Sequence, residues 1–161
     1  MHLPPCPALP MTYLIRPMTP QDLPACLELW CDTEGVVLRE ESDSPEALTR
    51  FLARNPGLSF VAMDQGAMVG SILCGHDGRR AQLYHLAVRS EQRRTRCATA
   101  LLEAALQALA AEGITRCNAY IRVRNLAARG FWSSAGATLR RDIDVMTLAV
   151  GTRPAGRSGI S

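Results

Sequence analysis

Leu86-Ala87-Val88-Arg89-Ser90-Glu91-Gln92-Arg93-Arg94-Thr95-Arg96-Cys97-Ala98-Thr99-Ala100-Leu101-Leu102 passes from an apolar, extended type of run into a helical one. Its first residues close Gln82-Leu83-Tyr84-His85-Leu86-Ala87-Val88, which reads as a strand. From Ala98 to Glu112, Leu101, Leu102, Ala105, Leu106 and Leu109 recur on one helical face, and Gly113 ends the period. The junction is therefore strand, turn, helix. A helix start leaves several N–H groups unpaired and carries the positive end of the dipole, so it attracts anions and disfavours cations. Arg89, Arg93, Arg94 and Arg96 crowd it all the same. A phosphate-bearing ligand accounts for that crowding; a solvated basic loop is the alternative reading.

Upstream, Tyr13-Leu14-Ile15-Arg16 reads as a first strand. Thr19, Pro20 and Asp22 then carry the marks of a helix start, namely a cap, a proline in the first turn and the acid of a capping box. That helix runs through Leu23, Leu27 and Trp30. Ser44-Pro45-Glu46 repeats the signal for a second helix with Leu48, Phe51 and Leu52, stopped at Asn55-Pro56-Gly57. Residues 59–63 and 68–73 flank Asp64-Gln65-Gly66-Ala67 as a β-hairpin, and His76-Asp77-Gly78 turns the chain again. Downstream of the quoted stretch, a strand over Ile114–Val123, a helix over Asn125–Ala135 and a last strand over Ile143–Val150 are expected. The class is α/β: a central mixed, mostly antiparallel sheet with helices on both faces.

The length of 161 residues suits one domain. Residues 1–10 read as an extension without structure, 11–150 as the domain and 151–161 as a frayed tail. No apolar run approaches the roughly 18 residues of a membrane span, and the Pro-rich start lacks the pattern of a secretory signal. A cytoplasmic protein with no membrane partner is expected. The six cysteines form no CxxC pair, and the three histidines show no ligand spacing, so no metal site is expected. All 18 basic residues are arginine, and the net charge of +3 makes no case for nucleic acid. No aromatic side chains interleave with the arginine cluster as single-strand binding requires.

Asn125-Leu126-Ala127-Ala128-Arg129-Gly130-Phe131-Trp132-Ser133-Ser134-Ala135-Gly136-Ala137 reads by itself as a capped helix with an aromatic pair. Taken with the quoted turn, and in this order, it resembles the GNAT superfamily of N-acetyltransferases over about residues 11–150. The family's phosphate turn, Arg/Gln-x-x-Gly-x-Gly/Ala, is matched at Arg93 and Ala98. The strand end Leu86-Ala87-Val88 matches the one that pairs with pantetheine. Asn125, Phe131-Trp132 and Gly136-Ala137 match Asn-x-x-Ala-x-x-Phe-Tyr-x-x-x-Gly-Phe. Two positions depart from the family: Arg96 stands where it has glycine, and Trp132 where it has tyrosine.

The resemblance implies a V-shaped opening between two central strands, acetyl-CoA as co-substrate and an amine as acceptor. A bulge near Leu86–Val88 is expected to free backbone groups for pantetheine. Backbone N–H groups from Arg93 to Thr99, with Arg94, Arg96, Cys97 and Ala98 between them, are expected to hold the pyrophosphate. Asn125 and Trp132 are expected to line the cofactor. The Val88 N–H is expected to polarise the thioester carbonyl, and the amine to attack directly with both substrates bound. Strand alternation places Gln82 and Tyr84 on one face and His85 on the other. By the resemblance, the Tyr84 face meets the acceptor and His85 is packed away. Glu40 and Glu41, in the loop between the first two helices, lie where the family binds its acceptor. Arg96 and Trp132 leave a second reading, a GNAT-fold CoA-binding or regulatory module with decayed catalysis. A homodimer is compatible with either.

Overall fold

A computed structural model describes residues 13–93 and 95–151. Expectations for residues 1–10, for most of the tail and for Arg94 lie outside these described residues. The described chain divides into two compact units, one up to Leu126 and one from Ala127 onward.

In the first unit, strands β1 (Leu14–Pro17), β2 (Phe60–Asp64), β3 (Ala67–His76), β4 (Ala81–Val88) and β5 (Cys117–Ala119) form one sheet in that order. The first three pairings are antiparallel and β4 with β5 is parallel. Helices α1 (Leu23–Cys31), α2 (Glu40–Asp43), α3 (Pro45–Arg54) and α4 (Cys97–Ala111) complete it. Among the described residues, no helix is long and apolar enough to cross a membrane.

The start of α1 follows from its sequence. The Asp22 carboxylate accepts the Thr19 N–H at 2.8 Å, and the Arg16 guanidinium donates to both its oxygens at 2.7 and 2.8 Å. At α3, the Ser44 hydroxyl accepts the Ala47 N–H at 3.2 Å. The hairpin between β2 and β3 turns through Gln65 (φ 49°) and Gly66 (φ 80°), the paired positive φ of a type I′ turn.

Two glycines of β3 let helices close on opposite faces of the sheet. A Cβ on Gly70 would lie 3.0 Å from Leu101 of α4 and 3.2 Å from Cys97 Sγ. A Cβ on Gly75 would lie 2.8 Å from Phe51 Cζ and Asn55 Nδ2 on the α3 side. On that same side the fully buried Trp30 of α1 donates its Nε1–H to the buried Ser71 hydroxyl at 2.9 Å. Leu23, Cys26, Leu29, Leu48, Leu52, Val61, Leu73 and Ala87 pack around it. Fully burying each large apolar side chain contributes about 1.5–3 kcal/mol.

Three expectations are corrected. Glu40 and Glu41 do not sit in a loop but in the short helix α2. The strand expected over 114–123 forms only over Cys117–Ala119, because β4 bulges just past Leu83 and the parallel ladder cannot follow the bend. Residues 143–150 form no strand. Among the described residues the second unit holds α5 (Leu126–Ser134) and no strand for them to pair with, and a strand exists only within a ladder. Met146, Leu148 and Val150 stand exposed there.

Candidate active site

The register of β3 against β4 slips where Ser71 pairs with Ala87 and Leu73 with Tyr84, so His85 and Leu86 together oppose Ile72. His85 takes φ 47°, a left-handed conformation that is strained for any residue with a Cβ. This bulge redirects the backbone. Before it, the Ala81 N–H points towards β5 and donates to Arg116 O at 3.0 Å. After it, the Arg89 N–H points the other way and donates to Val69 O at 2.8 Å. By alternation, the Leu86 and Val88 N–H groups face the edge of β4 away from β3. No described strand pairs there, since β5 leaves β4 after Leu83 opposite Ala119. The result is an open stretch of β4 edge over Tyr84–Val88.

The same bulge corrects the reading of side-chain parity. Tyr84 meets Phe51 of α3 edge-on, ring centroids 6.0 Å apart. His85, expected on the opposite face, packs on Trp30 of α1 at 4.8 Å and reaches Asp43 of α2, Nε2 to Oδ1 2.7 Å. Both side chains therefore lie on the face covered by α1–α3. Alternation holds only for an unbroken strand, and the extra residue cancels it. Tyr84 is 37% exposed, and burial of the remainder pushes its phenol above the usual range, so it stays protonated. Asp43 also accepts the Arg39 N–H at 2.8 Å. Glu40, by contrast, is exposed at the start of α2.

Beyond Val88 the chain makes a 3₁₀ turn over Ser90–Gln92 and enters α4. Tyr13 donates its hydroxyl to Gln92 Oε1 at 2.8 Å and also contacts the Thr95 hydroxyl, which in turn donates to Gln92 O. The turn is thus pinned to the start of β1, a tie the sequence did not suggest. Arg89 is consumed structurally, its Nε donating to Met68 O at 2.9 Å. The Arg93 N–H donates to Ser90 O at 3.3 Å and so is not free for a ligand, unlike the expectation for it; the Arg93 side chain is exposed.

Arg96, the N-cap of α4, has φ 68° and ψ 11°, the left-handed geometry that glycine adopts at no steric cost. Arginine stands at the glycine position and keeps the glycine backbone, with its side chain exposed. The Arg96 side chain makes no capping hydrogen bond to α4, nor does any other side chain among the described residues. The Arg96 carbonyl accepts the Ala100 N–H, which leaves the N–H groups of Cys97, Ala98 and Thr99 at the free end of the helix. The Cys97 thiol is buried and pushed up to about 11 by desolvation, so only its backbone can serve a ligand. Asn125 lies against the loop between α1 and α2: a Cβ at Gly35 would collide with its side-chain amide.

The open β4 edge and the uncapped helix start are joined by one short turn. The profile of the Acetyltransferase (GNAT) family matches residues 23–137 and so covers the bulged strand, the turn and α4. The chain belongs to the GNAT acetyltransferase family. An acetyltransferase of Yersinia enterocolitica is 33% identical over 120 residues, 73% of this chain and 82% of that protein. One of Pectobacterium atrosepticum is 32% identical over the same shares. Among solved structures, the PaiA N-acetyltransferase of Thermoplasma acidophilum, in complex with coenzyme A, superposes with a TM-score of 0.71 at 22% identity, covering 83% of this chain and 94% of that one. The diaminobutyrate acetyltransferase of Paenibacillus lautus, in complex with diaminobutyric acid and coenzyme A, gives 0.66 at 22% identity over 78% and 75%. This GNAT chain is accordingly an acetyltransferase that draws on an acyl-CoA donor.

In the second unit, Phe131 and Trp132 of α5 meet edge to face, ring centroids 5.4 Å apart, and Gly136 (φ 91°) closes the helix. Trp132 is half-buried.

Proposed function

We propose that the chain transfers the acetyl group of acetyl-CoA to a primary amine by direct attack, with both substrates bound. The observation that carries this reading is the open β4 edge over Tyr84–Val88 leading straight into the uncapped start of α4. An extended pantetheine arm can pair with that edge as an added strand does. Leu86 and Val88 offer it N–H groups, while Ala87 is buried and shapes the edge from within. The diphosphate then meets the N–H groups of Cys97, Ala98 and Thr99 at the positive end of α4. Exposed Arg93 and Arg96, with Arg94 between them in sequence, supply cations for charge-assisted bonds.

The Val88 N–H polarises the thioester carbonyl as its oxygen gains charge. Tyr84, a neutral phenol on the face of α1–α3, is a hydrogen-bond donor there and not a base. Glu40 draws the cationic acceptor towards that face. Asn125 and Trp132 are assigned to the cofactor from the sequence pattern. Trp132 is a packing residue, because an indole N–H is a donor without useful acidity. The released thiol takes its proton readily, with an ordinary pKa near ~8.5.

The test is thioester consumption with acetyl-CoA and a panel of primary alkylamines, diamines, amino acids, aminoglycosides and peptides. Formation of an N-acetylated product by mass spectrometry, dependent on one acceptor class, is expected. Binding of acetyl-CoA without turnover of any amine would contradict the reading.

A further inference from the structure

His85 is held in a way that a packing residue does not need. It sits at the strained centre of the β4 bulge with φ 47°. Its ring lies 4.8 Å from that of Trp30, tilted by 48°, and Trp30 is itself fixed by its bond to Ser71. Its Nε2 is bonded to Asp43 Oδ1 at 2.7 Å, and the other Asp43 oxygen is held by the Arg39 N–H. The imidazole is thus oriented by three elements, β4, α1 and α2. With Nε2–H given to Asp43, the free lone pair is on Nδ1. No hydrogen bond to that atom is seen among the described residues, and the side chain is 16% exposed. The bulge also sets His85 beside Leu86 and Val88, whose N–H groups line the open edge. A basic nitrogen, oriented by a carboxylate, stands next to the edge where the thioester is proposed to lie.

The geometry points to the His85–Asp43 pair as the proton acceptor for the incoming amine, with His85 the catalytic base and Asp43 its positioning residue. This rests on the N-acetyltransferase reading above. The acceptor arrives as R–NH3⁺ and gives one proton to His85 Nδ1. The freed nitrogen lone pair attacks the thioester carbonyl carbon, forming the C–N bond. The C–S bond then breaks and its electron pair leaves with sulfur. The second nitrogen proton passes to the thiolate, giving the free thiol, and the imidazolium later returns its proton to water. Asp43 holds the ring with Nδ1 turned outward and stabilises the imidazolium by the bond at Nε2, as an oriented carboxylate does for a general base. Tyr84, kept protonated by burial, cannot take this role.

The test compares acceptors that need a base with one that does not. Primary alkylamines are protonated at neutral pH, whereas hydroxylamine is largely uncharged. In the full chain, His85→Gln is expected to lower kcat/KM for each turned-over alkylamine by about 10²–10⁴-fold. The loss with hydroxylamine is expected to be below roughly tenfold, because only the base-dependent part of the barrier has changed. Asp43→Asn should show the same selective loss in smaller measure, mainly in kcat. Calorimetry should find coenzyme A binding retained in both variants, which separates the chemistry from folding. Equal losses with both kinds of acceptor would reduce the pair to a structural brace and overturn the proposal. Wild-type rates in His85→Gln would overturn it too, while leaving the acetyltransferase reading intact. A wild-type chain that binds coenzyme A but acetylates no amine would instead remove the reading on which the proposal stands.

Discussion

Replacing Arg96 by glycine separates two opposing effects at one residue. The backbone there is left-handed, φ 68° and ψ 11°, at the N-cap of the 15-residue helix α4. A residue with a Cβ in that geometry costs about 1–2 kcal/mol. Glycine removes that cost but loses more conformational freedom on folding, roughly 0.5–1 kcal/mol. Arg96→Gly is therefore expected to stabilise the fold by about 0.5–1 kcal/mol, a rise in Tm of roughly 1–4 °C for a chain of this size. Its effect on the ligand should have the opposite sign. The Arg96 side chain is exposed beside the free N–H groups of α4, where a guanidinium bonds a diphosphate with about 1.5–3 kcal/mol. Calorimetric titration with coenzyme A should then show affinity weakened by about 10–100-fold, since each 1.4 kcal/mol is tenfold. Scanning calorimetry and the titration together decide the matter. A lowered Tm would refute the strain at Arg96, and tighter binding would show that the side chain obstructs the diphosphate.

Other consequences follow from the same structure. The Arg16 guanidinium holds the Asp22 carboxyl below its usual range, so its contribution is full above the unfolded value near ~3.9 and fades as pH falls through the lower folded value. The Tm difference between native protein and Asp22→Asn should be constant above about pH 5 and shrink on acidification; a difference that grows in acid would contradict this. Gly75→Ala forces a methyl to 2.8 Å from Phe51 and Asn55, and chemical denaturation should show a loss of about 1–3 kcal/mol from overpacking, whereas an unchanged midpoint would mean that α3 does not dock there. Burial pushes the thiols of Cys26 and Cys74 up to about 12 and that of Cys97 to about 11, while Cys31 is exposed. Alkylation of the native protein followed by peptide mapping should label Cys31 well before those three; early labelling of Cys97 would show that the start of α4 opens.

What could be read from the sequence was what local chemistry dictates. The caps at Thr19–Asp22 and Ser44, the turn at Gln65-Gly66 and the period of α4 are decided within a few residues, and each stands where expected. The strand, turn and helix from Leu86 to Leu102 were legible for the same reason: they form one contiguous stretch. The His85–Asp43 pair was not, because two non-local facts create it. One is the bulge, which depends on how β3 meets β4 and carries both Tyr84 and His85 onto one face. The other is the helix α2, which selects Asp43 from a run of three acids and leaves Glu40 exposed. Nothing in Glu40-Glu41-Ser42-Asp43 distinguishes its last member except that it sits four residues beyond Arg39, whose N–H it caps. The strand expected over 143–150 failed differently. Ile143, Val145, Met146 and Leu148 have the composition of a strand, but composition does not supply a neighbour to pair with.

The central claim is that the open edge of β4 and the start of α4 together hold an acyl-CoA. Titration of the ¹⁵N-labelled chain with coenzyme A, followed by amide chemical shifts, tests it most directly. The largest shifts are expected at Leu86 and Val88 and at Cys97, Ala98 and Thr99, with smaller ones at His85. Saturable shifts confined to another surface, such as the groove between the end of α4 and Arg116, or no shifts at these five amides, would contradict it.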